Sequence, residues 1–95
     1  MDIKQCLKSL YDEGLQILNN MQDPTDPEFD VWRIKVVIQI ARLFEEDSIE
    51  YRQIADIHFE EQPKVSENTA LNITKRRMNE GLHVLRALYE LEVEA

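Results

Sequence analysis

The sequence predicts a small all-α protein, a compact four-helix bundle, with residues 1–95 forming one helical domain. Three observations lead there. The chain holds 2 Gly and 3 Pro, too little turn chemistry for a many-stranded sheet. Its apolar residues recur at three- and four-residue steps, the period of a helix face. Its turn residues gather at two breaks, residues 19–27 and 60–68, with long periodic runs between them. The expected helices span about residues 3–21, 27–45, 48–58 and 68–92.

The first helix starts at an Asp2 cap, with Gln5 in the capping-box position. Ile3, Cys6, Leu7, Leu10, Tyr11, Gly14, Leu15, Ile17, Leu18 and Met21 make its apolar stripe. Two Asp-Pro pairs then push the chain out of helix. Asp26 caps the second helix, with Pro27 at its first position and Glu28 in its first turn. Its run FDVWRIKVVIQIARLF is the densest apolar stretch of the chain, with Lys35, Gln39 and Arg42 as one narrow polar strip. A helix so apolar is expected to be central and covered on more than one side. Val36, Val37, Ile38 and Ile40 are β-branched and admit a strand, but the run is long and its cap strong, which favours helix.

Asp47 and Glu50 have capping-box spacing and start a short third helix, with Ile49, Ile54 and Ile57 inward and Tyr51 and Phe59 flanking. The second break carries Pro63 and offers Ser66 or Asn68 as caps for the last helix. That helix shows two apolar strips: Leu71, Met78, Leu82, Leu85 and Tyr89, then Ile73, Val84, Leu88 and Leu91. Two strips imply two neighbours, or one neighbour and a second copy. Gly14 and Gly81 lie inside helices, where Gly costs about 1 kcal/mol against Ala. They predict that the first and fourth helices cross near them.

Composition excludes several functions. With 43% hydrophobic residues the chain is neither disordered nor a low-complexity linker. A net charge of −8 disfavours general duplex binding, which needs a basic face. Cys6 is the sole cysteine, so neither an internal disulfide nor a Cys-rich metal site can form. The N-terminal residues lack the uninterrupted apolar run of a signal peptide. No run approaches the roughly 18 apolar residues of a membrane span. A cytoplasmic protein is the expectation.

Candidates for chemistry are few. Arg76 and His83 are separated by about 20° on a helical wheel and roughly 10 Å along the axis, so they share a face. Arg there can hold a phosphate and His can move a proton. Arg77 and His83 point about 120° apart. On a solvated face, Arg76 would instead pair with Glu80 one turn on. Lys75-Arg76-Arg77 is the one basic triplet, open to an acidic partner or a phosphate, or a balance for neighbouring acids. His58, followed by Glu60 and Glu61, carries two metal-ligand types, but adjacent residues spread around a helix, and no metal is expected. Trp32 and Arg33 begin the second helix, as core and ion pair (Arg33 with Asp30) or as interface anchors. With Val84, Leu88 and Leu91 they form the candidate interface. No phosphate-cradling loop or nucleophile triad is present, so no cofactor is expected.

Two resemblances follow from these residues. The Arg76–His83 spacing falls within the loose R-x4–6-H pattern of the small helical HEPN ribonuclease domains. More broadly, Gly14, then Asp26, Glu28, Phe29 and Trp32, then Phe44, Glu46, Asp47, Ser48, Glu50 and Tyr51, then Ile57 and Phe59, and finally Gly81, Leu82, Leu85 and Leu88 resemble a helical module of bacterial defence proteins. That module stands ahead of a Toll/interleukin-receptor-like nucleotide-binding domain or another effector. The resemblance implies a non-catalytic protein-interaction or oligomerisation module in an anti-phage system, with a protein partner or a second copy as its ligand. The alternative is a HEPN-like ribonuclease using Arg76 and His83.

Overall fold

The computed structural model describes residues 2–23, 25–59 and 64–94. Pro24, Pro63, Glu60 and Glu61, which entered the reading of the two breaks and of His58, lie outside them. The four helices are α1 (Ile3–Asn20), α2 (Pro27–Phe44), α3 (Ile49–Ala55) and α4 (Glu67–Glu94). There is no strand among the described residues, and no helix is long and apolar enough to cross a membrane.

Each helix start follows from a side chain that accepts an otherwise unpaired backbone N–H. The Asp2 carboxylate accepts from Lys4 N at 3.1 Å, and Asp26 accepts from Glu28 N at 2.8 Å, with Pro27 at the first helical position. At α3 the cap is Ser48 rather than Asp47: Ser48 Oγ accepts from Tyr51 N at 3.1 Å and donates to Glu45 O at 2.7 Å. The hydroxyl thereby bridges the end of α2 to the start of α3, which a carboxylate at Asp47 could not do. At α4 Ser66 takes the role, with Ser66 Oγ accepting from Thr69 N at 3.4 Å.

The helices form a ring in chain order. α1 packs along α4 and against α2, α2 against α3, and α3 against α4. α1 and α4 run antiparallel: Lys4 Nζ lies 5.6 Å from the Tyr89 ring, while Tyr11 lies beside Arg86. The molecule is 43 Å long. That is the length of α4 alone, since 28 residues at about 1.5 Å each span about 42 Å.

The core gathers around Trp32, which has no exposed surface. Its ring lies 5.6 Å from the Phe59 ring at 76°, and 6.4 Å from that of Phe29. Its indole Nε1 donates to the Leu10 carbonyl of α1 at 2.9 Å. Leu7, Val36, Ile40, Ile54, Met78 and Leu85 complete the fully buried set. Phe59, expected at the flank, is buried within this cluster, 4% exposed.

The glycines are where the rings enter. A Cβ on Gly14 would stand 2.5 Å from Trp32 Cζ2, and one on Gly81 would stand 2.6 Å from Phe59 Cζ and 3.5 Å from Trp32 Cη2. The close approach at these glycines is thus aromatic ring against helix backbone, with Trp32 reaching from α2 past α1 to α4.

Candidate functional site

The surface that needs explanation is the outer side of α2. The inward stripe is Phe29, Trp32, Val36 and Ile40, one residue per turn at helical spacing. Trp32 fixes the rotation of the helix, because its indole must reach Leu10 and Gly14. Everything about half a turn away on the wheel then faces outward. Val31, Ile34 and Ile38 lie there, 54%, 44% and 45% exposed. The expectation of a central helix covered on several sides is corrected accordingly. The backbone of α2 lies against α1 and α3 and reaches α4 only through the Trp32 ring, and its far side is open.

Two residues of the polar strip of α2 contact α1. Lys35 reaches Glu13 of α1 at 3.0 Å, and Gln39 accepts from Cys6 Sγ at 4.0 Å. Lys35 and Gln39 thus lie along the α1–α2 seam, beside the open apolar stripe. A shallow groove of about 520 Å³ runs there, lined by Cys6, Ser9, Glu13, Lys35 and Gln39 among others. A second of about 720 Å³ continues it past Ile17, Pro27, Glu28 and Val31. Arg33 pairs with Asp30 at 2.6 Å, as its spacing predicts. The side chains of Glu28 and Arg42 are exposed, and among the described residues neither forms a hydrogen bond or ion pair. The outer face thus carries three branched aliphatic side chains with an unpaired acid near one end and an unpaired base near the other.

The five residues proposed for an interface have separate fates. Trp32 and Leu88, 0% and 8% exposed, lie inside the chain's own core. Val84 and Arg33 are half-buried. Leu91 is 62% exposed, about one turn beyond the buried Leu88. The buried face of α4 includes Ala70 and Thr74, which the apolar pattern passed over because neither is a large hydrophobe. The surface these five offer a partner comes from Leu91 and the edges of Val84 and Arg33. The Val31–Ile34–Ile38 stripe was hidden in the sequence because its residues look the same as core residues of the same helix.

Arg76 and His83 both face solvent on α4. Among the described residues neither side chain holds a hydrogen bond or ion pair, and the Arg76–Glu80 pair is not formed. Neither lines the grooves along α1, which include a pocket of about 140 Å³ between α1 and α4 lined by Lys8, Tyr11, Asp12, Arg86, Tyr89 and Glu90. In that pocket Arg86 donates to Glu90 at 3.0 Å, and this hydrogen bond holds the guanidinium pKa above its ordinary value. His58 lies in the turn after α3 with φ at 57°. Among the described residues no group of three His, Cys, Asp or Glu is placed to hold a metal ion.

No family model, curated protein or solved structure matches the chain.

Proposed function

We propose that this chain is a non-catalytic helical interaction module that docks a protein through the outer face of α2. One observation carries the reading: Val31, Ile34 and Ile38 stand in a row on one face, each more than two-fifths exposed, while the core beneath closes without them. Single exposed aliphatics are ordinary on any surface, whereas a contiguous apolar row edged by charge is the composition of a contact site. The setting implied by the resemblance goes with it. In a bacterial cytoplasm the module would gather or hold a defence effector, and the lone, half-buried Cys6 suits that reducing compartment.

The ribonuclease reading draws on Arg76 and His83 sharing an exposed helix face. It has less support, because a phosphodiester would have to be held between two exposed side chains that line none of the grooves along α1.

A photo-crosslinking residue placed at Ile38, and at Asp12 on the exposed side of α1 as control, tests the docking face in cells. Protein adducts at position 38 and not at 12 are expected. Absence of any protein adduct at 38 removes the reading. Phage plating with and without the chain tests the defence setting by itself; an unchanged plating efficiency removes the setting and leaves the docking face.

A further inference from the structure

We infer that the occupant of the α2 face is a second copy of this chain, laid antiparallel about a twofold axis near Ile34. The inference rests on the docking face proposed above and adds the identity of its partner.

The argument comes from the order of residues along α2. A twofold axis perpendicular to two antiparallel helices matches positions whose numbers sum to a constant, and the two contacts of each pair form together. A sum near 69 sets Val31 against Ile38 of the second copy, Ile38 against its Val31, and Ile34 close to its own equivalent. The three exposed aliphatics therefore cover one another with none left over. Glu28 and Arg42 lie on the same flank of this stripe, 14 residues or about 21 Å apart along the helix. A twofold operation keeps that flank on one side and reverses its direction. Each Arg42 then faces the Glu28 of the other copy, so two new ion pairs form from four side chains that have no partner among the described residues of their own chains. Lys35, which falls near the axis and would meet its own equivalent, is already paired with Glu13 at 3.0 Å.

The local charge of α2 points the same way. The chain carries −8, which opposes self-association in general. The residues of α2 number two acids, Glu28 and Asp30, and three bases, Arg33, Lys35 and Arg42. The face offered to a second copy thus belongs to a helix that is not itself acidic. Three aliphatic side chains make a smaller contact than the about 800 Å² per partner of a standard stable interface. The association is accordingly of the weak, reversible kind, with a dissociation constant in the range of tens to hundreds of micromolar rather than nanomolar. Such an equilibrium responds steeply to local concentration, which suits a module that clusters whatever is attached to it.

Sedimentation equilibrium of the chain from 10 μM to 1 mM at 150 mM salt reads the equilibrium directly. A monomer–dimer isotherm is expected. Ile34→Asp should abolish it, and Glu28→Arg or Arg42→Glu alone should weaken it about five- to tenfold. The double variant E28R/R42E should recover most of the lost affinity, because both ion pairs are restored with reversed sign. All three positions are exposed, so each variant's helical circular dichroism melt serves as the check that it folds. A wild type that stays monomeric to 1 mM overturns the dimer, as does a dimer indifferent to Ile34→Asp or a charge swap without recovery. If the wild type is monomeric while position 38 still crosslinks to a different protein in cells, the dimer fails and the docking face stands.

Discussion

At the scale of the residue, Gly14 and Trp32 define each other. A glycine in the middle of a helix normally weakens it by about 1 kcal/mol relative to alanine, so Gly→Ala there is ordinarily a stabilising change. Here the sign reverses. The new methyl of Gly14→Ala would lie 2.5 Å from Trp32 Cζ2 and 2.8 Å from Nε1, and the indole cannot slide away without leaving the Leu10 carbonyl. Overpacking of this kind costs about 1–3 kcal/mol, and the lost indole hydrogen bond adds to it. Gly81→Ala meets the edge of Phe59 instead, at 2.6 Å from Cζ. Phe59 sits in the turn after α3 with no polar tether, so its ring can give way. Chemical denaturation should therefore rank wild type above Gly81→Ala and Gly81→Ala above Gly14→Ala. A Gly14→Ala variant as stable as wild type would show that the indole does not need that space. The presence of glycines at two mid-helix positions was legible as a sign of close approach. What approaches them was not, because the partner rings come from residues 18 and 22 positions away in sequence.

At the scale of the element, the helix starts were the most legible features and the rotations the least. Asp2 and Asp26 announce their helices through side chains that reach a backbone N–H two residues on, and such contacts are local. Ser48 and Asp47 are adjacent and both capable caps, and the choice between them depends on where α2 ends. It ends at Phe44, and the capping residue Glu45 has a φ of 69°, which puts a side-chain-bearing residue in the left-handed half of backbone space, where glycine is favoured. Glu45 also carries its carboxylate at the negative end of the α2 dipole. Glu45→Gly should accordingly raise stability, by about 0.5–1 kcal/mol, because it relieves the φ penalty by more than the chain entropy it adds. The check is a thermal melt, and a lower midpoint for Glu45→Gly would mean that the Glu45 side chain supports the corner between α2 and α3. The rotation of α2 has the opposite character. Its wheel is apolar nearly all round, so periodicity alone left open which stripe points inward.

At the scale of the whole molecule, the ring arrangement places α2 and α4 on a diagonal, out of direct backbone contact. The aromatic cluster joins them. Trp32 touches α1 through Leu10 and Gly14 and approaches α4 at Gly81, while Phe59 brings the turn after α3 into the same cluster. No helix can leave without opening a cavity around the indole. Loss of helix and exposure of Trp32 should therefore coincide: tryptophan fluorescence and far-ultraviolet circular dichroism should give one denaturation midpoint. Two separated midpoints would show that α4, whose Leu91 is exposed beyond the buried Leu88, unwinds on its own.

The sequence by itself determined the number of helices, their order and nearly all their ends, since turn residues, caps and apolar period are set by neighbours within a few positions. It also determined that one aromatic, Trp32, stands at the head of the most apolar helix. Only the tertiary structure decided that Trp32 is the centre of the core, that Phe59 belongs beside it, and that Val31, Ile34 and Ile38 face outward. The physical reason is the same in each case. An aliphatic side chain carries no record of which neighbour will cover it, and the rotation of a helix that is apolar on most sides is set by contacts made across the chain, here by one indole fitted against Gly14.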